Sequence, residues 1–219
     1  MKGAGFVPIW NSSNPFTGTF DGGGHKITNL YINRPSTDFV GLFGTIASGS
    51  EIKDVGLEDV DIKGNERIGG LVSQNRGNIT NTYSTGSISG NEDVGGLVGE
   101  NYGMVTNSHS NSNVSGDGYY DFVGGLVGYD GGGTITQSYS TGSVNGGSSG
   151  LYVGGLAGCV DDGTVSDSYT GSVSGYDYVG GLIGYVNPWA TVTNTYSTGS
   201  VCGTLSLTGG LIGLSHNNS

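Results

Sequence analysis

The chain has 219 residues, of which 46 are glycine and 4 are proline, and its 18 acidic and 7 basic side chains give a formal net charge of −11. A negative surface repels phosphate backbones and anionic lipid headgroups, so this composition argues against nucleic acid as a partner. No stretch approaches the roughly 18 apolar residues that cross a bilayer, which predicts no membrane insertion by this part of the protein.

The remaining composition favours an ordered, exported protein. Charged residues make up only 11% of the chain, and Ser, Thr, Asn and Gly supply most of the polarity, a balance typical of secreted surfaces. The glycines are periodic, and 13 tyrosines together with Val and Ile stand between them. Each segment therefore has apolar surface to bury, which favours a repeat protein over low-complexity disorder.

The first 38 residues lack the regular pattern that follows, so we expect an atypical N-terminal coil at 1–38 and regular repeats at 39–219. Together they form one predicted domain. Met1 leads directly into repeat-like sequence, and the chain stops soon after Leu211 opens another unit. We therefore expect a fragment of a larger protein, with targeting and anchoring parts elsewhere and neighbouring domains in the parent chain.

A Gly-Gly-Leu anchor, or a close variant, recurs every 26 to 30 residues. That spacing suits a stacked solenoid coil and is far too long for a coiled-coil heptad. The first anchor, which ends at Leu42, lacks the second glycine. The anchors end at Leu42, Leu71, Leu97, Leu126, Leu156, Leu182 and Leu211.

Each repeat contains three predicted short strands separated by Gly-rich and Asn-rich turns. Apolar residues on both sides of the anchor predict the first, buried strand. A second strand with alternating Thr, Ile, Val and Tyr is predicted at 78–84, 134–140 and 190–197. A third, very short strand is predicted at 86–90, 143–145, 172–174 and 200–202.

One repeat of this kind cannot bury enough apolar surface to fold alone, so the repeats are expected to stack. The predicted fold is an all-β, right-handed parallel β-helix of about seven coils with three short strands each. Stacking would align one aromatic slot of the second strand as a ladder, facing either inward or outward. That slot holds Tyr83, His109, Tyr139, Tyr169 and Tyr196. Strict alternation would put Val94 and Leu97 on opposite faces, so a bend near the glycines is also expected if both are buried.

The repeat resembles the GLUG motif of bacterial and archaeal surface proteins. The residues that carry the resemblance are Val94-Gly95-Gly96-Leu97-Val98-Gly99, then Asn107-Ser108, then Val114-Ser115-Gly116. The opening segment, 16–32, is similar to one that often begins such arrays. The resemblance implies a β-solenoid in an exported protein at the cell surface or outside the cell, serving as a stalk or display surface. The family occurs in large adhesins and beside the protease part of some immunoglobulin A peptidases.

No motif for catalysis or cofactor binding stands out, so we predict no catalytic residue, no cofactor and no enzyme. The three histidines, His25, His109 and His216, fall outside any nucleophile context. The glycine runs lack the Lys-Ser/Thr ending of a phosphate loop. Cys159 and Cys202 occupy different places within their repeats, which predicts two unpaired thiols.

Acidic residues recur five positions before several anchor leucines. Stacking would place Glu66, Glu92 and Asp121 in a column, with Leu151 interrupting it before Asp177. A column of like charges costs energy unless a cation or long side chains relieve it. Calcium binding is therefore one interpretation of the column. The commoner one is that the acidic side chains point away from one another into solvent, so no metal site is predicted.

Three binding or catalytic alternatives remain open beside a structural and adhesive role with a host protein, cell-surface protein or glycan as partner. Aromatic residues before the anchors could stack on sugars. They are Tyr119, Tyr120, Tyr152, Tyr176 and Tyr178. A polysaccharide-cleaving β-helix is less favoured, because the turns are short and the only arginines are Arg34, Arg67 and Arg76. Ice binding through Thr85, Thr141 and Thr198 has too few threonines per coil.

Overall fold

A computed structural model describes residues 3–118, 121–149, 151–205 and 207–216 of the chain. Every regular element in these ranges is a β-strand, and all the ladders between the strands are parallel. The strands form three sheets that wind together into a solenoid of about seven coils. The predicted all-β parallel solenoid is confirmed, whereas the right-handed winding stays a prediction from the usual handedness of parallel crossovers.

Sheet A has sixteen strands, and the two smaller sheets have seven strands (sheet B) and six strands (sheet C). The strands of sheet A are Thr19–Thr28, Tyr31–Asn33, Glu51–Lys63, Asn78–Thr80, Tyr83–Gly90, Met104–Thr106, His109–Gly116, Thr134–Thr136, Tyr139–Ser140, Val144–Asn145, Thr164–Ser166, Tyr169–Thr170, Val173–Gly175, Thr191–Thr193, Tyr196–Ser197 and Val201–Gly203.

Sheets B and C meet at the Gly-Gly-Leu anchors. The strands of sheet B are Phe43–Ile46, Val72–Asn75, Val98–Asn101, Val127–Asp130, Ala157–Val160, Ile183–Val186 and Ile212–Ser215. The strands of sheet C are Glu66–Gly69, Glu92–Gly95, Phe122–Gly124, Tyr152–Gly154, Val179–Gly180 and Thr208–Gly209. Each coil passes through sheet C, then sheet B, then sheet A.

The register places equivalent residues of successive repeats beside one another. Val94 of one coil pairs with Ile68 of the coil before it and with Val123 of the coil after it. The backbone bends at Gly96 and Leu97, so both Val94 and Leu97 are fully buried, as the predicted bend requires. Anchor leucines up to Leu182 form a buried column, and Leu211 in the last coil is 36% exposed.

The predicted second strand is divided. The strand Asn78–Thr80 is followed by Asn81, which has a left-handed φ of 53°, and a new strand begins at Tyr83. This turn reverses the alternation and gives every coil an additional corner. Asn and Asp tolerate left-handed backbone better than most side chains. The same corner carries positive φ at Asn81, Asn107, Gln137, Asp167 and Asn194.

Polar ladders line two of the corners. Asn75 donates a hydrogen bond from Nδ2 to Oδ1 of Asn101, and Asn101 does the same to Oδ1 of Asp130, each at 2.7 Å. At another corner the backbone N–H of Ser108 donates to Oγ of Ser138, and that of Ser138 donates to Oγ of Ser168. These contacts repeat along the axis and hold the coils in register while satisfying buried polar groups.

The two ends of the described solenoid differ. Trp10 and Phe16 pack with Phe43, at ring-centroid distances of 6.0 and 5.6 Å, and Phe43 is fully buried beneath them. At the other end Leu207 and Leu211 are 41% and 36% exposed. The N-terminal region therefore shields the core from solvent, as an atypical end coil is expected to do. The boundary at residue 38 stays a prediction.

The glycine doublets are explained by close backbone packing, because the second glycine has no positive φ. A Cβ on Gly125 would lie 2.2 Å from the carbonyl oxygen of Gly155 in the next coil and 2.2 Å from Oγ of Ser140. Gly210 holds the same motif position in the last coil, and a Cβ there meets no atom within 4 Å. Packing against the next coil and against a later strand of the same coil therefore makes this position require glycine.

We expect Gly125→Ala to lower the free energy of unfolding by about 2 to 3 kcal/mol, the upper range for overpacking. Gly210→Ala is the matched control and should change stability by less than about 0.5 kcal/mol. Urea denaturation of both variants measures the difference. Equal effects at the two positions would show that the requirement is local to the tripeptide rather than imposed by the strands packed around it.

Candidate functional site

An axial groove runs along the outside of the corner between sheets C and B. The backbone bends at each anchor leucine. As a result, the side chain four positions before that leucine faces the side chain three positions after it. The row on the sheet C side consists of Arg67, Asp93, Phe122, Tyr152 and Tyr178, the last of which immediately precedes its strand. The row on sheet B consists of Gln74, Glu100, Tyr129, Cys159 and Tyr185. Contacts across the groove join the two rows, with Phe122 and Tyr129 at a centroid distance of 5.5 Å and Tyr152 and Tyr185 at 5.3 Å.

One end of the groove is polar. Arg67 donates from Nε to Oε1 of Glu100 at 2.8 Å, and Gln74 donates from Nε2 to Oε2 of Glu100 at 2.6 Å. Asp93 hydrogen-bonds to Glu100 as well and is only 6% exposed. Burial raises the pKa of Asp93 to about 8, and the Glu100 carboxylate adds to the shift. At neutral pH Asp93 is therefore mostly protonated and donates its proton to Glu100.

The other end of the groove is aromatic. Phe122 stacks on Tyr152 at 5.2 Å, and Tyr152 stacks on Tyr178 at 5.1 Å. On the opposite row Tyr129 donates from its hydroxyl to Oδ2 of Asp161 at 2.9 Å. Burial and this hydrogen bond raise the pKa of the Tyr129 phenol, so it remains a donor at any physiological pH.

Cys159 lies between Tyr129 and Tyr185 in the sheet B row and is buried at the floor of the groove. A small side chain between two large ones leaves a cavity of about 350 Å³, which Glu92 and Asp161 also line. Burial raises the pKa of the Cys159 thiol, so it stays protonated and unreactive. Cys202 is exposed, and both cysteines are free thiols, as predicted.

The aromatic ladder of sheet A faces outward, on a different side of the coil from the groove. Its five rings stack with centroid distances of 5.2, 4.6, 4.7 and 5.3 Å and interplanar angles of 5 to 7°. His109 is stacked between Tyr83 and Tyr139, and burial lowers the pKa of its imidazole. Because each ring covers the faces of its neighbours, the ladder offers mainly edges and hydroxyls to solvent.

The members of the predicted column of acids differ in burial. Glu66 and Glu92 are neighbours in register, and Glu66 lies 3.2 Å from Nη1 of Arg67. Asp121, however, is fully buried and accepts a hydrogen bond from the backbone N–H of Leu151 at 3.1 Å. Among the described residues no group of three or more His, Cys, Asp or Glu side chains is placed to hold a metal ion.

The remaining histidines and the tyrosines before the anchors do not form a single site. His25 is exposed on the strand Thr19–Thr28, and His216 is beside Tyr185, with the phenol oxygen 3.3 Å from its Nδ1. Tyr152 and Tyr178 line the groove, whereas Tyr176 precedes it on the chain. Tyr119 and Tyr120 fall outside the described residues.

The arginines and threonines of the alternatives have structural contacts. Arg34 donates from Nε to the carbonyl oxygen of Phe6 at 3.1 Å, and Arg76 lies over the ring of Tyr102 at 5.0 Å. Thr85 accepts a hydrogen bond from the backbone N–H of Asp59, and Thr141 donates to Oδ1 of Asn111. Arg67 alone of these residues belongs to the groove.

Comparison with known proteins identifies the repeat. Residues 64–89 and 90–115 each match the family described as the GLUG motif. The chain therefore contains two segments that match the GLUG motif. The two matched GLUG repeats contain Arg67, Asp93 and Glu100, so the polar end of the groove lies within them.

Two relatives match part of this chain. Halomucin of Haloquadratum walsbyi is 39% identical over 89 residues, which is 39% of this chain. A protein of Evansella cellulosilytica assigned as a Gly-rich membrane protein is 35% identical over 82 residues, or 36% of this chain. The matched segments make up 1% and 10% of those proteins, so this chain spans a small part of each.

One solved structure is similar in fold. The crystal structure of a Bacteroides ovatus protein assigned as an immunoglobulin A1 protease superposes with a TM-score of 0.61. The match covers 88% of this chain and 68% of that one at 19% identity. At that identity the likeness shows a shared solenoid fold and does not extend to activity. No helix within the described ranges is long and apolar enough to span a membrane.

Proposed function

We propose that this chain is a non-catalytic structural and adhesive module of an exported cell-surface protein, a single solenoid domain that continues into neighbouring domains. The observation that carries the proposal is the continuity of the stack. Parallel pairing runs from the strand Thr19–Thr28 to the strand Ile212–Ser215, and one apolar core follows it along the described coils. Such a stack holds its outer rows of side chains at a fixed spacing, which suits a spacer that also presents a binding surface.

The relatives and the surroundings of His109 and Cys159 support this role. One relative is named Halomucin and the other is assigned as a Gly-rich membrane protein. Within the described part of the chain, His109 is held between two tyrosine rings, and Cys159 is a buried, protonated thiol. Neither is placed as the base or nucleophile of a covalent mechanism.

Surface location is tested by antibodies raised against this chain and applied to the source cells with and without permeabilisation. Equal labelling of intact and permeabilised cells is the expected result. Labelling that requires permeabilisation would contradict an exported module. A cytoplasmic marker protein serves as the control for cell integrity.

The non-catalytic part of the proposal has a separate test, because Asp93 and Glu100 bring two carboxyl groups together in the groove. The purified chain should release no reducing ends from soluble polysaccharides and no peptides from immunoglobulin A. Release of reducing ends that Glu100→Gln abolishes would overturn the proposal and assign hydrolysis to the groove.

A further inference from the structure

We propose that the axial groove binds a neutral glycan chain at the cavity over Cys159, with the aromatic end packing against sugar rings and the Asp93–Glu100 pair hydrogen-bonding sugar hydroxyls. The inference deepens the adhesive half of the proposed function and rests on it. It assigns a ligand class to one surface of the solenoid.

The cavity arises from a break in the sheet B row. Tyr129 and Tyr185 occupy the positions on either side of Cys159, one coil before it and one coil after it. Two parallel steps of about 4.8 Å separate them, so the small thiol leaves an open space between two aromatic side chains. Its volume of about 350 Å³ lies at the lower end of the range for small-molecule sites, which is about 300 to 1,000 Å³.

The lining combines the two chemistries that sugars require. Phe122, Tyr129 and Tyr185 provide apolar rings, which pack against the C–H faces of pyranoses. Asp93, Glu100 and Asp161 provide hydroxyl donors or carboxylate acceptors in the same cavity. Groups that both donate and accept are what a ligand covered in hydroxyl groups needs.

The charge of the cavity favours a neutral ligand. Arg67 compensates Glu100 through a direct ion pair, and Asp93 is mostly protonated at neutral pH. The remaining acids, Glu92 and Asp161, would repel uronic or sialic acids. A cationic ligand is the competing class, because aromatic rings and carboxylates also attract cations. Binding of a cation would depend on the charge of Asp93, whereas binding of a neutral glycan would not.

Saturation-transfer-difference NMR of the whole chain tests this site. The probes are cellohexaose, xylohexaose, mannohexaose and N-acetylchitohexaose, with spermidine as the cationic alternative. Irradiation of the aromatic protons should produce signals on the ring C–H protons of at least one hexasaccharide. Cys159→Tyr continues the aromatic row through the gap, so it should reduce that signal by at least about tenfold.

The controls distinguish specific binding in the groove from non-specific binding to other exposed aromatic or acidic side chains. Tyr196→Ala removes a 53% exposed tyrosine from the end of the sheet A ladder and should leave the signal unchanged. Asp61→Asn removes one acidic charge at an exposed position outside the groove and should change the glycan Kd by less than about threefold. Circular dichroism verifies each fold, and Tyr185→Ser replaces Cys159→Tyr as the test if the latter is misfolded.

Three outcomes would overturn the assignment: no signal from any hexasaccharide, a signal that Cys159→Tyr or Tyr185→Ser leaves intact, or spermidine binding that Asp93→Asn and added salt abolish. The last would assign a cation site to the groove. None of these results bears on surface labelling of intact cells, so failure of the glycan site and failure of the proposed function remain distinguishable.

Discussion

The free energy of unfolding should fall by at least about 2 kcal/mol between pH 4.5 and pH 8, the reverse of the usual acid destabilisation. The reason is a set of buried carboxyls. Burial raises the pKa of Asp121 to about 7 and that of Asp130 to about 7, against 3.8 for an ordinary aspartate. Both side chains are fully buried, and each has one carboxyl oxygen without a hydrogen-bond partner.

The sign follows from proton binding. Because the folded-state pKa of both groups lies above the unfolded value, the folded state binds more protons than the unfolded state between about pH 4 and pH 7. Stability is therefore greatest near the low end of this window and is lost as pH rises through the folded pKa. A shift of about 3 units sets a ceiling of about 4 kcal/mol for each group.

Asp130→Asn isolates one contribution. Asp130 accepts from Asn101 at the end of the ladder that begins at Asn75, so an amide at this position continues the row without a buried charge. The substitution should stabilise the protein by about 2 to 4 kcal/mol at pH 8 and by only about 1 kcal/mol at pH 4.5, which lies just above the unfolded pKa of 3.8. Urea denaturation at the two pH values measures both effects.

Asp61→Asn is the matched control, because Asp61 is exposed on the strand Glu51–Lys63. It removes the same charge and should have little effect at either pH. Equal stabilisation by the two variants would attribute the pH dependence to the net charge of −11. If the free energy of unfolding of the unmodified chain did not change with pH, the raised pKa values of the buried carboxyls would be contradicted.

Deletion of one whole repeat should be tolerated, whereas deletion of half a repeat should not. Removal of residues 90–115 joins Ser89 to Gly116, and these positions already follow one another in register, since Ser89 pairs with Ser115 and Gly90 with Gly116. Ile68 would then pair with Val123, which keeps the apolar column. We expect one cooperative urea transition with an m-value smaller by about one seventh, because one coil fewer is exposed on unfolding.

Removal of residues 103–115 deletes only the sheet A part of the same coil. The chain would then pass from sheet B directly to sheet C, leaving two broad sheets with unpaired strands and an open core. We expect a loss of more than about 5 kcal/mol, enough to abolish the cooperative transition. Similar stability of the two deletions would show that the coils are not the folding units.

The solenoid could be predicted because equivalent residues recur at a regular spacing along the sequence, and stacking brings them into columns. Anchor leucines 26 to 30 residues apart predicted the stack, and the buried apolar rows and the aromatic ladder confirmed it. The division of the second strand at Asn81 could not be predicted, because its alternating pattern continues across the turn. Asn81 and Gln137 adopt the same left-handed turn, and Gln carries little signal for that conformation.

The groove was harder to predict than the fold. Tyr152 and Tyr178 were expected to be available for sugars, but Asp93 and Glu100 were not singled out. These two residues are seven positions apart and meet only because the backbone bends at Gly96 and Leu97. Aligning the residues four before and three after each leucine would have revealed two rows of bulky side chains, interrupted by Cys159. The angle at which the rows meet is a property of the packed sheets.

Disulfide cross-linking between neighbouring coils tests the central claim of in-register stacking most directly. Thr141 and Asn111 lie in adjacent coils, and their side chains are in hydrogen-bonding contact at 2.6 Å. In a background with Cys159→Ser and Cys202→Ser, the pair Asn111→Cys and Thr141→Cys should oxidise to an intramolecular disulfide. The pair Asn111→Cys and Thr198→Cys, about 14 Å apart across three steps of 4.8 Å, should not. Efficient cross-linking of the second pair, or failure of the first, would contradict the stacked solenoid.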